Sequence, residues 1–278
     1  GDRGYSVVLT EARRELGGRV ALESQLPGLI EWRRVIDWRL TQIEKMANVS
    51  VYPGSSMTAD DVLEAGVEHV IVATGATWRR DGIGRGRWRP IPGYDSANVY
   101  TPDDIMAGRL PSGRVVVFDN DHFYVGGLIA EQLARDGCEV VMVTPASVVS
   151  IWTEYTLEQE RIQRRLMELG VSLFTQRTLD AIHPDAVSLS CTVSGAESEL
   201  ACDAVVLLTD RLPNETLYQA LKPKLAGQDL KTLRVIGDAE APNIIAQAVF
   251  AGHLAAREFD ETPVDGTPFR IERMGNDS

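Results

Sequence analysis

The feature that most constrains this chain is a set of short, largely apolar runs that do not alternate. Residues 5–10, 67–74, 114–118, 139–144 and 233–236 read this way, with charged or polar residues entering at Glu68, His69, Arg114, Glu139 and Arg234. Such runs suit strands buried on both faces, the pattern of parallel sheets covered by layers on either side. Between them lie stretches of helical character. Residues 31–46 space Trp32, Ile36, Leu40 and Ile43 along one helix face. Thr58-Ala59-Asp60-Asp61 opens a helix with a Thr cap and first-turn carboxylates. Residues 127–136, 157–169 and 244–258 supply three more helices. Strand and helix in alternation predict an α/β fold. Runs at 186–193 and 200–209 add a short antiparallel portion, and the Gly-, Arg- and Pro-rich stretch 79–95 reads as a connector.

The last strand and helix read as returning to the first α/β unit, so the second unit is an insertion. The expected units are 1–112 plus 230–262, then 113–229, then a polar tail at 263–278.

Composition narrows the class. Lys plus Arg number 28 against 40 Asp plus Glu, a net charge of −12. That acidity opposes nucleic-acid binding, which relies on a basic surface releasing counterions. No run approaches the ~18 apolar residues of a membrane span. Cys138, Cys191 and Cys202 are scattered and form no C-x-x-C pair, so no iron–sulfur or zinc ligand set is expected within this sequence. Cys138 and Cys202 lie beside apolar runs and read as buried thiols. Sparse, odd cysteines and the absence of a secretory signal point to a reducing, cytoplasmic setting.

Glu11 closes the first strand and is followed by Gly17-Gly18-Arg19. In a dinucleotide fold, an acidic residue ending the second strand accepts the adenosine ribose hydroxyls. Glycines nearby let the backbone approach the nucleotide. Alone, the same residues also suit a surface Glu and a turn. The arithmetic says more: a G-x-G-x-x-G loop lies about 20 residues before that acid, and only ten residues precede Glu11. The loop and its strand are therefore expected upstream, with the first unit truncated at its N-terminus. Ala73-Thr74-Gly75 and Gly237-Asp238 each end a strand, where ligands of open α/β sheets bind. Glu11, Gly17, Gly18, Arg19, Ala73, Thr74, Gly75, Gly237 and Asp238 are the candidate nucleotide-holding residues, with no catalytic or metal-ligating residue among them.

In this order the chain resembles the two-dinucleotide-binding-domain flavoproteins, two Rossmann-like units with the second inserted in the first. More closely it resembles the C-terminal half of the trimethylamine, dimethylamine and histamine dehydrogenases. The stretches that carry this are Leu26-Pro27-Gly28 to Glu31-Trp32, Met57-Thr58-Ala59-Asp60-Asp61-Val62 and Ala73-Thr74-Gly75-Ala76-Thr77-Trp78. Thr156-Leu157-Glu158 and Ile236-Gly237-Asp238-Ala239-Glu240-Ala241-Pro242 complete them. The resemblance runs to about residue 260. It implies an upstream barrel holding flavin mononucleotide (FMN) and a 4Fe-4S cluster, where an amine C–N bond is oxidised. It implies ADP as a structural ligand here, with FAD the alternative, and an electron-transfer flavoprotein as acceptor. A homodimer is implied, and this portion alone is not expected to be catalytic. The competing readings are an FAD- and NAD(P)H-dependent dienoyl-CoA or enoate reductase, and a non-catalytic nucleotide-binding module.

In the second unit the strand ending at Phe118 should lead into a glycine loop, but Asp119-Asn120-Asp121-His122-Phe123-Tyr124 stands there. Two carboxylates would face a pyrophosphate, each pair costing roughly 1 to 4 kcal/mol at 4 Å. The next strand ends Thr144-Pro145-Ala146-Ser147, without an acid or Arg for a ribose. Nicotinamide binding is not expected. Asp119, Asp121 and His122 read as capping and solvated groups rather than metal ligands. Arg79-Arg80 and Arg85-Gly86-Arg87-Trp88-Arg89 read as a solvated loop, or as a surface for an acidic partner. Trp32 reads as half-buried against its own helix.

Overall fold

The structure, a computed structural model, describes residues 1–226 and 230–259. The tail at 263–278 and the end of the 230–262 segment lie outside the described residues.

The chain opens with β1 (Val7–Glu11), α1 (Gly18–Glu23) and, after a 3-10 turn at Ile30–Arg33, α2 (Arg34–Glu44). Then come β2 (Val49–Pro53), α3 (Ala59–Glu64), β3 (His69–Val72) and β4 (Ala76–Trp78). The cap expected at Thr58 forms: its N–H donates to Asp61 Oδ2 at 2.8 Å, and Asp61 N–H donates back to Thr58 Oγ1 at 3.3 Å. After the connector follow β5 (Val99–Tyr100), α4 (Pro102–Met106), β6 (Arg114–Asp119), α5 (Tyr124–Arg135) and β7 (Glu139–Val143). Next are α6 (Gln159–Glu168), β8 (Ser172–Phe174), β9 (Arg177–Ile182), β10 (Ala186–Cys191), β11 (Glu197–Ala201) and β12 (Ala204–Leu208). The chain returns through β13 (Arg211–Pro213) and α7 (Thr216–Ala226) to β14 (Thr232–Val235) and α8 (Ile245–Arg257).

The central sheet is five parallel strands in the order β5-β12-β6-β7-β8. Its residues alternate between two apolar layers. Val115, Val117, Val206 and Leu208 face a layer built with Ile129 and Leu133 of α5 and Leu166 of α6. Val116, Phe118, Val205 and Leu207 face the other, built with Leu179, Val187 and Leu189 of the antiparallel sheet β9-β10-β11. A parallel sheet covered on both faces explains why successive positions Val115 to Phe118, Val140 to Val143 and Ala204 to Leu208 are all apolar and buried.

Two sequence expectations need correction. The run 200–209 is two strands in different sheets. Between them Cys202 N–H donates to Asp185 O at 2.9 Å and Asp203 N–H to Arg114 O at 2.8 Å, turning the chain from one sheet to the other. The boundary expected at residue 113 also moves, because β5 pairs with β12 from Val99 onward. A two-residue strand carries no periodicity to betray it.

The first unit is built differently. β1 pairs in parallel only with β2, and β3 only with β14, so among the described residues these are two separate ribbons. Their core is small: Val62, Val72, Leu221 and Leu230. Leu26 and Leu29 pack instead into the second unit's helical layer. Trp32 is half-buried, but against Tyr124 of α5, edge-on at 5.6 Å, rather than against its own helix.

Candidate functional site

The expected residues lie at the carboxyl ends of β1, β3 and β14. Glu11 closes β1; one carboxylate oxygen accepts the Arg13 N–H at 2.9 Å, and its carbonyl accepts Ser55 N–H at 2.8 Å. Its second carboxylate oxygen has no partner among the described residues. Gly17 and Gly18 both take left-handed backbone, φ 113° and 53°. A Cβ on Gly17 would lie 2.4 Å from Ile36 Cδ1, so this glycine lets α2 approach and not a ligand. Gly18 faces open space.

Beyond β3, Thr74 Oγ1 donates to Asn214 O at 2.5 Å and Gly75 O accepts Asn214 N–H at 2.9 Å. Ala73-Thr74-Gly75 is thereby tied to the returning chain at β13. Gly237 turns the backbone with φ 62° after β14. The helix does not follow at once: a 3-10 turn at Gly237–Ala239 intervenes before α8.

Of the candidates, the structure joins Arg19 to Asp238. Asp238 Oδ2 accepts Arg19 Nη2 at 3.0 Å and Arg211 Nη1 at 3.1 Å, while Oδ1 accepts Asn243 N–H at 3.0 Å. Both guanidiniums also donate to Asn243 O, at 2.9 and 3.1 Å. Arg19 Nη1 holds Glu23 at 3.0 Å, a carboxylate only 1% exposed. Burial pushes the Glu23 carboxyl up, with Arg19 and Arg211 pulling it back. Burial, then the charge of Arg19, pushes the Arg211 guanidinium down. Arg211 also lies over the Trp78 ring, 5.4 Å from its centroid. Glu23 and Arg211 escaped the sequence reading, since neither sits in a motif and only the folded chain brings them to Asp238.

The second unit's turn after β6 is filled by its own side chains. Asp119 is fully buried; Oδ1 accepts Asp121 N–H at 3.1 Å and His122 N–H at 2.9 Å, and Oδ2 has no partner. The carboxylate is pressed on the first turn of α5, where a Cβ at Gly126 would meet Asp119 Cγ at 2.6 Å. Burial, then the nearby Asp121 charge, pushes the Asp119 carboxyl up to about 7. His122 is buried at φ 71°, and burial, then Arg85, pushes it down to about 4. The solvated reading of Asp119 and His122 is therefore overturned: they line the inside of the turn. Much of the basic loop is tied down as well. Arg79 pairs with Asp81 at 2.6 Å, Arg80 with Asp104 at 3.3 Å, and Arg87 donates to Leu179 O at 3.1 Å. Trp88 does stand in solvent, 86% exposed. Of the cysteines, Cys202 is buried while Cys138 is only half-buried.

Residues 100–197 match the family described as the OYE-like second alpha/beta domain. Over 98% of its length the chain is 33% identical to dimethylamine dehydrogenase from Hyphomicrobium sp., covering 41% of that protein. Its homologues are dimethylamine and histamine dehydrogenases. The solved histamine dehydrogenase from Rhizobium sp. 4-9 superposes with a TM-score of 0.94 at 45% identity, over 97% of this chain and 43% of that one. The 6-hydroxypseudooxynicotine amine oxidase from Pseudomonas geniculata N1 superposes with a TM-score of 0.91 at 43% identity, over 93% of this chain and 39% of that one. The chain thus spans about two fifths of the length of these oxidoreductases. Among the described residues, no helix is long and apolar enough to cross a membrane.

Proposed function

We propose that this chain is the nucleotide-holding C-terminal portion of an amine dehydrogenase. In this reading the full-length enzyme oxidises a C–N bond at FMN and passes electrons through a 4Fe-4S cluster to an electron-transfer flavoprotein. FMN and cluster belong to an upstream barrel, and the present portion holds ADP as a structural ligand. The two units are two Rossmann-like folds, the second without its nicotinamide.

The observation that carries the nucleotide reading is the gap in the first unit. Tyr5, ahead of β1, and His69, opening β3, both meet the Phe259 ring edge-on, each at 4.9 Å. One ring thus bridges the starts of the two strands, which belong to separate two-stranded sheets. Both flanking edges are unpaired among the described residues. In this reading a neighbouring strand beside β1 and β3 brings its following loop between Glu11 and Asp238. The filled turn at Asp119–His122 counts against the reductase reading, which needs a nicotinamide site in the second unit.

The test is Glu11→Ala in the full-length enzyme. Charge-assisted hydrogen bonds from the ribose contribute roughly 1.5 to 3 kcal/mol, about ten- to a hundredfold in affinity. The variant should lose adenine nucleotide on dialysis while keeping FMN and cluster. Full retention of nucleotide per protomer would show that the ribose lies elsewhere.

A further inference from the structure

Away from the nucleotide site, one surface is held in strain with nothing among the described residues to cover it. The 3-10 turn Ile151–Thr156 is bracketed by two non-glycine residues in left-handed backbone, Ser150 at φ 50° and Leu157 at φ 58°. Such residues keep that conformation only where the surroundings over-determine it. Here they do. Trp152 N–H donates to His122 O at 3.1 Å, Thr153 Oγ1 to Ser150 O at 2.7 Å, and Gln159 Nε2 to Val149 O at 3.0 Å. Tyr124 fixes the far end, its hydroxyl 2.7 Å from Thr156 Oγ1 and also bonded to Glu158. Yet what this firmly tied turn presents is apolar: Tyr155 is 84% exposed and Leu157 94%. Trp152 packs on Phe123 with 5.5 Å between ring centroids. Arg85 lies over Trp152, 5.0 Å from its centroid, which joins the turn to the loop carrying exposed Trp88.

We propose that this ledge, Tyr155 and Leu157 with Trp88, Trp152, Arg85 and Arg89, is where the upstream barrel of the full-length enzyme packs against the second unit. This step rests on the amine dehydrogenase reading above. Large apolar side chains gathered in water on adjoining loops mark an interface rather than ordinary surface. A carrier protein that comes and goes would leave Leu157 in water between encounters. A permanent neighbour covers it throughout, and permanent interfaces are the more apolar ones. The chain spans 43% of the histamine dehydrogenase on which it superposes, so the larger part of such an enzyme is there to supply the cover. Charge points to the nature of the facing surface. Arg85 and Arg89 are exposed and make no salt bridge among the described residues, a basic edge in a chain of net charge −12. The complement is a pocket for Leu157 rimmed by carboxylates, which those guanidiniums pair in fork geometry.

Thiol labelling, located by peptide mass spectrometry, reads the contact directly. Leu157→Cys is followed in the present chain and in the full-length enzyme, with Met167→Cys on α6 as the exposed reference. Labelling at position 157 should be at least about tenfold slower in the full-length enzyme than in the present chain, with the reference equal in both. Tyr155→Cys is read the same way should the first variant fail to fold. Arg89→Glu, added to Leu157→Cys in the full-length enzyme, should speed labelling about threefold by setting like charges across the rim. An unchanged rate would overturn the acidic rim. Equal labelling of Leu157→Cys in both proteins, with FMN and cluster present in the enzyme, would overturn the docking and give the ledge to a separate protein. Protection that appears in the present chain and grows with its concentration would overturn it in favour of a second copy. An enzyme without FMN and cluster would overturn the amine dehydrogenase reading, and the docking with it.

Discussion

β6 and β1 are both strands read from the sequence as buried parallel strands, yet they end in opposite circumstances. In β6, Val115, Val116 and Val117 are all 0% exposed, with a paired strand on each side and a packed layer on each face. In β1, Val8 is 56% exposed and Leu9 36%, and across the gap Ile71 of β3 is 40% exposed. The residue types are the same, so the difference lies in the neighbours. An apolar strand is buried by what flanks it, and a two-stranded ribbon cannot provide that alone. The central sheet flanks β6 on both sides, whereas β1 and β3 each keep one edge without a strand among the described residues.

The contrast breaks most sharply at the centre of the second unit. Leu207 is fully buried between the central sheet and the antiparallel layer. Leu207→Ala should cost about 2–5 kcal/mol, read as a lower urea midpoint; a loss below about 1 kcal/mol would show that the layer is not the packed core described.

A smaller effect, of opposite sign, is expected at the filled turn. The folded-state pKa of Asp119 is raised from 3.8 to about 7, so the folded state holds this proton more tightly than the unfolded chain. Its contribution is full below 3.8 and is lost as pH rises towards about 7. Asp119→Asn keeps an oxygen for the Asp121 and His122 N–H groups and removes the buried charge. It should stabilise the protein by about 1–3 kcal/mol at pH 8, with the gain vanishing at low pH. His122 works the other way, since its pKa falls from 6.5 to about 4, and stability is lost as pH drops through that window. Thermal melts of both proteins across the pH range decide this, and a gain independent of pH would refute the buried-charge account.

The smallest effect sharpens the comparison most. Val8→Ala in the present chain should change stability by less than about 0.5 kcal/mol, as at an exposed site. In the full-length enzyme, with the gap filled, it should cost about 1–2 kcal/mol. Equal small costs in both would mean that no strand enters beside β1.

Much of this was legible in the sequence because burial on both faces leaves a plain signature. The runs that became β6 and β7 were visible for that reason; those of β1, β3 and β14 share the residue types although Val8, Leu9 and Ile71 stand exposed, and the cap at Thr58 was visible from its contiguous capping residues. Short or exposed elements left none. β2, with only Val49 and Val51 half-buried, and the three-residue β4 and β13 went unread. The ends of β1, β3 and β14 were legible as candidate positions. Their chemistry was not, because Arg211 reaches Asp238 from 27 residues away and Glu23 joins them only through Arg19. The second unit's missing glycine loop was plain, but the burial of Asp119 and His122 was not, since short polar residues at a strand end ordinarily face water.

One last consequence follows from β4 and β13. The chain crosses from the first unit to the second at residues 76–78 and comes back at 211–213, and these two crossings are hydrogen-bonded to each other as an antiparallel ribbon. The ribbon is lengthened at one end by Arg79 N–H to Asp210 O, 2.9 Å, and at the other by the Asn214 bonds to Thr74 and Gly75. Two separate tethers would act as a swivel; two tethers laced together act as a torsion bar. Any rotation of one half of the molecule against the other has to shear that lacing and lift Arg211 off Trp78. The relative pose of the two halves is thus set mechanically, in the crossings themselves, before any ligand or neighbouring domain bears on it.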